Sequence, residues 1–235
     1  MRPSPPLAVG VLALAGMLSS CAESESMLFI EGVLAMEAPE CEVVADSGSS
    51  LLLSGVVDVA LTDTYQGVLL VGNQLVRRGS RDQLRTETAT VSVDGTEIHV
   101  LDSDQNELTS YTVPSSGTIS PGTGTEAGYG GGGTDLLRPA ASFLGQGLVV
   151  VDVQVFGETL GGQTVESNWF TFPIRVTQGD LIGYPSDSMD PNTKLCTGPA
   201  SDNASITCYP GQDGITSCTA CRDRVELCYN PYSQP

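Results

Sequence analysis

In the stretch LVVVDVQVFG, Val149, Val151, Val153 and Val155 take every second position, and Asp152 and Gln154 fall between them. A side-chain period of two belongs to an extended chain with one face in a core and the other in water. NWFTFPIRV repeats the pattern with Phe170, Phe172, Ile174 and Val176. Two such strands must bury their apolar faces in a layered core, which makes sheets the frame of the chain. Pro173 lacks an N–H and so predicts an edge position or a bulge for the second strand.

Upstream, the same grammar recurs between turn residues. LLLSGVVDVALTD and YQGVLLVGNQLV read as strands with breaks at Gly55, Gly67 and Gly72, and ELTSYTVP as another. In ETATVSVDGTEIHVLDS, alternation on both sides of Asp94-Gly95 predicts a hairpin turning at that pair. SSGTISPGTGTEAGYGGGG has almost nothing to bury. Residues 115–134 are therefore expected to form a Gly-rich mobile surface loop inserted within the domain. With aromatic residues at only 6% and Val, Leu, Thr, Ser and Gly abundant, the composition suits sheets and turns. Eight or so strands without helical period predict an all-β fold, an Ig-like β-sandwich over residues 27–179. Beyond residue 179 the periodicity stops, and 180–235 reads as a loop-rich, cysteine-rich tail.

The N-terminus has a different character. Arg2 is the only charge before an apolar run from Leu7 to Leu18, which has signal-peptide length. The run ends in Leu18-Ser19-Ser20-Cys21, which resembles the lipobox of bacterial lipoproteins. That resemblance implies a signal peptide over 1–20, cleavage before Cys21, acylation (palmitate included) of Cys21, and a short linker over 21–26. It also implies a membrane anchored through Cys21 as a partner. Ala22, in place of an Asp at the second position, implies the outer membrane, on its periplasmic or cell-surface face. Several acyl chains on one residue make a firm anchor, whereas one gives marginal binding. Loss of Arg2 with the leader would leave 9 of the 10 basic residues against 28 acidic ones, a net charge of −19. So acidic a chain is ill suited to nucleic acid, whose phosphates call for Lys and Arg.

Lipidation of Cys21 would leave six cysteines: Cys41 near the first strands, and Cys196, Cys208, Cys218, Cys221 and Cys228 in the tail. In an exported chain disulfides are the default for a segment too poor in apolar residues to build its own core. Five tail cysteines are an odd number, so full pairing requires a Cys41–tail bridge. Sequence leaves all 15 connectivities open. Cys218-Thr219-Ala220-Cys221 also has the spacing of a redox or zinc pair, without the βαβ setting or the second pair those chemistries use.

Three further patterns carry candidate chemistry. Val43-Val44-Ala45-Asp46-Ser47-Gly48-Ser49 resembles the active-site loop of aspartic proteases, whose reaction needs two carboxylates sharing a proton. No second copy of the motif occurs, and the residue types equally suit a tight turn. His99, the only histidine, lies in a strand and lacks a nucleophile elbow elsewhere to serve. Asp102, Asp104 and Asn106 alternate like the start of a calcium loop, a weak calcium candidate, but Glu107 and Val113 stand where that loop needs Gly and an acid.

YTVPSSGTISPG and VFGETLGGQTVESNWFTFPIRV resemble segments of uncharacterised cysteine-rich myxobacterial lipoproteins over residues 85–185. That family carries a Cys-x-Gly-Cys-Leu element after the Phe-rich strand, where this chain has Thr177 to Leu181 without cysteine. The resemblance implies an envelope lipoprotein and no particular activity. The expectation is a binding or structural module with an envelope protein or glycan as partner, with neither catalysis nor a cofactor. The alternative is an envelope hydrolase built on Asp46, or a metal-dependent enzyme.

Overall fold

The computed structural model describes residues 27–36, 38–78, 87–198 and 207–233. The leader and Cys21 lie outside the described residues. The strands are β1 (Leu28–Leu34), β2 (Leu51–Leu52), β3 (Gly55–Asp58), β4 (Tyr65–Asn73), β5 (Val91–Leu101) and β6 (Glu107–Ile119). They continue with β7 (Gly128–Leu137), β8 (Leu148–Thr159), β9 (Thr164–Glu166), β10 (Phe170–Thr177), β11 (Ile182–Gly183) and β12 (Thr216–Ser217). Two one-turn helices, α1 (Cys218–Cys221) and α2 (Glu226–Tyr229), sit in the tail. The fold is all-β, as the period of two requires.

One sheet has the order β2-β1-β4-β7. The other runs β3-β10-β8-β5-β6, with β9 pairing β8. Their facing sides share one core. Val149, Val151, Val153 and Val155 have no accessible surface, and Phe172, Ile174 and Val176 are buried beside them. Across that core come Leu28, Val33, Leu69 and Val71 from the first sheet. Short β3 runs parallel to β10, a departure from the wholly antiparallel sheets of an Ig-like arrangement. Pro173 opposes Val150 of β8, while the pairing of β10 with β3 begins only at Ile174. The missing N–H therefore falls just past the end of β3, where no ladder bond is lost, although β10 is an interior strand.

Three expectations are corrected. Gly67 and Gly72 do not break a strand but lie inside β4, where a side chain would strike Leu136 and the ring of Phe29 respectively. Asp94-Gly95 is not a hairpin turn. β5 runs straight through it with a register shift against both neighbours, a bulge in which a side chain at Gly95 would meet the Phe156 ring at 2.5 Å. The β5–β6 hairpin turns instead at Asp102 to Asn106, with Gln105 at φ 66°.

The third correction concerns residues 115–134. They are not a mobile loop: most belong to β6 and β7, and only 123–126 form an exposed tip. Glycine serves close approach here. A Cβ on Gly117 would fall on the carbonyl oxygen of Gly131, one on Gly130 on that of Thr118, and one on Gly128 on that of Ser120. With hydrogens in place of side chains, β6 and β7 bring the two sheets together along one side. Ser115 Oγ donates to the Gly133 carbonyl at 2.6 Å, and the hydroxyls of Thr96 and Thr134 meet at 2.6 Å within the core.

Candidate functional site

One attachment of the tail to the two-sheet body is made by polar side chains beside β3 and β4. Tyr65, the first residue of β4, has no accessible surface, and its ring packs over Gly55. Its hydroxyl donates to Asp213 Oδ2 at 2.7 Å, and the N–H of Val56 donates to Asp213 Oδ1 at 2.8 Å. Gln212 binds the backbone of β4: its Oε1 accepts from the Gln66 N–H at 2.9 Å, and its Nε2 donates to the Gln66 carbonyl. Gln212 also bridges Val57 antiparallel, so the tail supplies the outer neighbour of β3. Burial raises the Tyr65 hydroxyl far above its ordinary range, with the Asp213 charge adding to it; burial likewise raises the Asp213 carboxyl.

A buried carboxylate, Asp58, ends β3. Its Oδ1 accepts from Gly179 at 2.7 Å and Ala60 at 3.0 Å, and its Oδ2 accepts from Leu181 at 2.8 Å, all backbone N–H groups. The Asp58 N–H in turn donates to the carbonyl of Gly211 at 2.8 Å. Asp58 thus holds the exit of β10 and the tail to one point. Beside this junction is a cleft of about 260 Å³ lined by Leu34, Met36, Leu52, Gln66, Cys208 and Tyr209, among others.

The solvent face of the larger sheet has a different chemistry. His99 of β5 stands opposite Ser110 of β6 and Asp152 of β8, and Asp152 stands opposite Thr171 of β10. His99 Nδ1 lies 2.9 Å from Glu107 Oε2, and Nε2 lies 3.2 Å from Glu97 Oε1. The Trp169 ring meets the imidazole edge-on at 4.9 Å and stays 44% exposed. Thr171 Oγ1 donates to Asp152 Oδ1 at 2.6 Å. The hydrogen bond to Glu107 raises the His99 pKa above its ordinary value, and that same bond lowers the Glu107 carboxyl. His99, Glu97, Glu107, Asp152 and Thr171 lie on strands and Trp169 just before β10, leaving one aromatic surface and several carboxylate oxygens toward water.

The candidates read from sequence fall elsewhere or into other roles. Asp46 lies in an exposed turn, where its Oδ1 accepts from the Gly48 N–H at 2.8 Å and from Ser49 Oγ at 3.2 Å. Asp102 closes its own turn. Its Oδ1 accepts from the N–H groups of Asp104 and Asn106, its Oδ2 from the Asn106 amide at 3.0 Å, and these bonds from Asn106 lower its carboxyl. Among the described residues no group of three or more His, Cys, Asp or Glu side chains is placed to hold a metal. Cys218 and Cys221 do not pair with each other. Cys196 bonds Cys218, Cys221 bonds Cys228, and Cys41 bonds Cys208 across 167 residues. A redox or zinc role for the Cys218–Cys221 spacing is thereby replaced by two local staples around the tail's small core of Ile182 and buried cysteines.

Sequence reasoning missed Asp58, Tyr65, Gln212, Asp213 and Trp169. Only two of them left a signal: Asp58 as an acid inside the apolar run GVVDVAL, and Trp169 as the only tryptophan. No helix of the described residues is long and apolar enough to cross a membrane. A scan against protein-family models finds no match, and comparisons with curated proteins and with solved structures find none.

Proposed function

We propose that this chain is a binding module of the bacterial envelope, held at the outer membrane by lipid on Cys21, and that its ligand is an envelope glycan received on the face around Trp169. The observation that carries the binding half is the pairing of exposed Trp169 with His99, ringed by Glu97, Glu107 and Asp152. Sugars present a C–H face that packs on an aromatic ring and hydroxyls that donate to carboxylates, so this mixture suits a neutral polyhydroxyl ligand. The carboxylates equally disfavour nucleic acid and other polyanions. The anchor rests on the resemblance of Leu18 to Cys21 to a lipobox, and three disulfides in one chain suit an oxidising compartment.

Because Trp169 is the only tryptophan, its fluorescence reports this face alone. Titration with uncharged oligosaccharides, N-acetylglucosamine oligomers and neutral O-antigen repeats, is expected to shift or quench the emission saturably for one of them. Trp169→Ala should abolish retention on the immobilised glycan while leaving the circular dichroism unchanged. Retention undiminished in that variant would remove the reading. The anchor is tested separately: Cys21→Ala is expected to leave the protein unprocessed or released from the membrane fraction.

A further inference from the structure

The three disulfides differ in what surrounds them. Cys196, Cys218 and Cys228 have no accessible surface and Cys221 has 6%, whereas Cys41 and Cys208 are both half-buried. Cys208 also lines the open cleft beside the tail junction, which gives an attacking thiolate a path to its sulfur. The two buried bonds are local, spanning 22 and 7 residues. The reachable bond is the long one, joining the chain between β1 and β2 to the tail.

Its position gives it leverage. Segment 207–214 lies along the outer edge of β3, with Asp58 N–H bonded to Gly211, Val57 bridging Gln212, and Val56 exchanging bonds with Asp213. At its far end the segment is held by β12, which pairs with β11. At its near end it is held by Cys208. Without that bond, what remains along 207–214 among the described residues is its hydrogen bonds to β3 and β4 and the packing of Gly211 and Gln212.

We propose that Cys41–Cys208 is a reducible latch on the tail: an external dithiol reductant opens it while the other two disulfides stay closed, and opening frees segment 207–214 from the edge of β3. One thiolate of the reductant attacks Cys208 Sγ, and Cys41 leaves as a thiolate that takes a proton from water. The reductant's second thiol then displaces Cys208. The products are two protein thiols and one oxidised reductant, a two-electron exchange. The uncovered edge of Gly55–Asp58 then has backbone groups open to a new partner, as free strand edges do.

The test uses the mature chain with all disulfides formed. In graded dithiothreitol, with trapping by iodoacetamide and peptide mapping, Cys41 and Cys208 are expected to be alkylated at least about tenfold faster than the other four cysteines, since accessibility governs exchange. After that selective reduction, hydrogen exchange of Gly55–Asp58 and of 207–214 should accelerate by about tenfold or more, with the β8 amides unchanged, as for local opening. A Cys41→Ser/Cys208→Ser double variant should show the same exchange pattern without reductant. Reduction of either buried disulfide at an equal or faster rate overturns the latch. So does unchanged exchange at Gly55–Asp58 in the selectively reduced protein, whatever the double variant does.

Discussion

The Tyr65 hydroxyl donates to Asp213 Oδ2 at 2.7 Å across 148 residues of sequence, joining a fully buried ring to an acid at the surface of the tail. The same carboxylate receives the Val56 N–H, so one acid joins the start of β4, the edge strand β3 and the tail. Tyr65→Phe removes one donor to a carboxylate and is expected to cost ~1.5–3 kcal/mol. Asp213→Ala removes this bond and the one from Val56, and it also leaves the buried Tyr65 hydroxyl unpaired, a further ~1–3 kcal/mol. Urea unfolding of the two variants should therefore rank Asp213→Ala below Tyr65→Phe, and the reverse order would deny the carboxylate its joining role.

The direction of the Tyr65 shift sets an alkaline limit. Its folded pKa lies above the ordinary value of 10.0, so the neutral phenol's stabilising contribution is complete below pH 10 and is lost as pH rises beyond it. Tyr111 behaves alike, burial pushing it up to about 12. Of the seven tyrosines, these two should be the last to ionise in an ultraviolet titration of the folded protein. In Tyr65→Phe the loss of stability above pH 10 should be shallower than in the parent. An equal slope would mean that Tyr65 titrates freely.

The glycines of β6 and β7 divide into two kinds. A methyl group at Gly117 would press on the backbone carbonyl of Gly131, which cannot swing aside as a side chain can, whereas Gly133 has nothing within 4 Å of its would-be Cβ. Gly117→Ala is expected to destabilise by roughly 1–3 kcal/mol, as overpacking does. Gly133→Ala should instead be neutral or stabilising by up to ~1 kcal/mol, because it restricts the unfolded chain. Thermal melts of the two variants decide it. Equal melting temperatures would return this stretch to the loop that its composition suggests.

That contrast explains which parts of the fold were legible. Val149 to Val155 announce their strand because alternation is written in side chains, and Phe172 to Val176 do so for the same reason. Gly128 and Gly130 to Gly133 have no side chains with which to write it, so a strand selected for backbone contact reads as a flexible loop. Asp94-Gly95 has the composition of a turn, and only the Phe156 ring on the neighbouring strand reveals why the glycine sits in a bulge. With Cys21 set aside for lipid, the parity of the other six cysteines required a Cys41–tail bond in any fully paired chain, but the choice of Cys208 depends on how the tail lies along β3. Asp213 and Tyr65 meet only after folding, so neither carries a local mark. Trp169 and His99 were visible singly, and their contact was not.

Asp58 makes a sharper case for a buried polar side chain as a fastener. Its three backbone donors are Ala60, Gly179 at the exit of β10, and Leu181 at the start of the tail. Asp58→Ala leaves all three without a side-chain acceptor and should cost about 3 kcal/mol or more. Asp58→Asn retains one oxygen but turns an N–H₂ toward one donor, so it should fall between. If Asp58→Ala unfolds at the parent's urea midpoint, water satisfies these donors as well as the carboxylate does.

The final expectation concerns charge on the solvent face. A neutral imidazole donates from one nitrogen only, whereas His99 has a carboxylate oxygen at each, Glu107 at 2.9 Å and Glu97 at 3.2 Å. The arrangement therefore favours imidazolium, and the bond to Glu107 is the largest contributor to the raised pKa. The histidine's contribution to stability is complete below its unfolded value near 6.5 and is lost as pH rises through the higher folded value. Glu107, lowered by the same bond, contributes above its ordinary 4.5 and loses that as pH falls through its folded value. The pair is thus strongest between those two ordinary values. As the chain has one histidine, its ring-proton shift can be followed by NMR without assignment. The parent should titrate above 6.5, and Glu107→Gln should bring the midpoint down further than Glu97→Gln does. The Trp169 emission should change through the same midpoint, because the two rings are in edge contact at 4.9 Å. A His99 midpoint at or below 6.5 in the parent would mean that the carboxylates do not hold the ring as described.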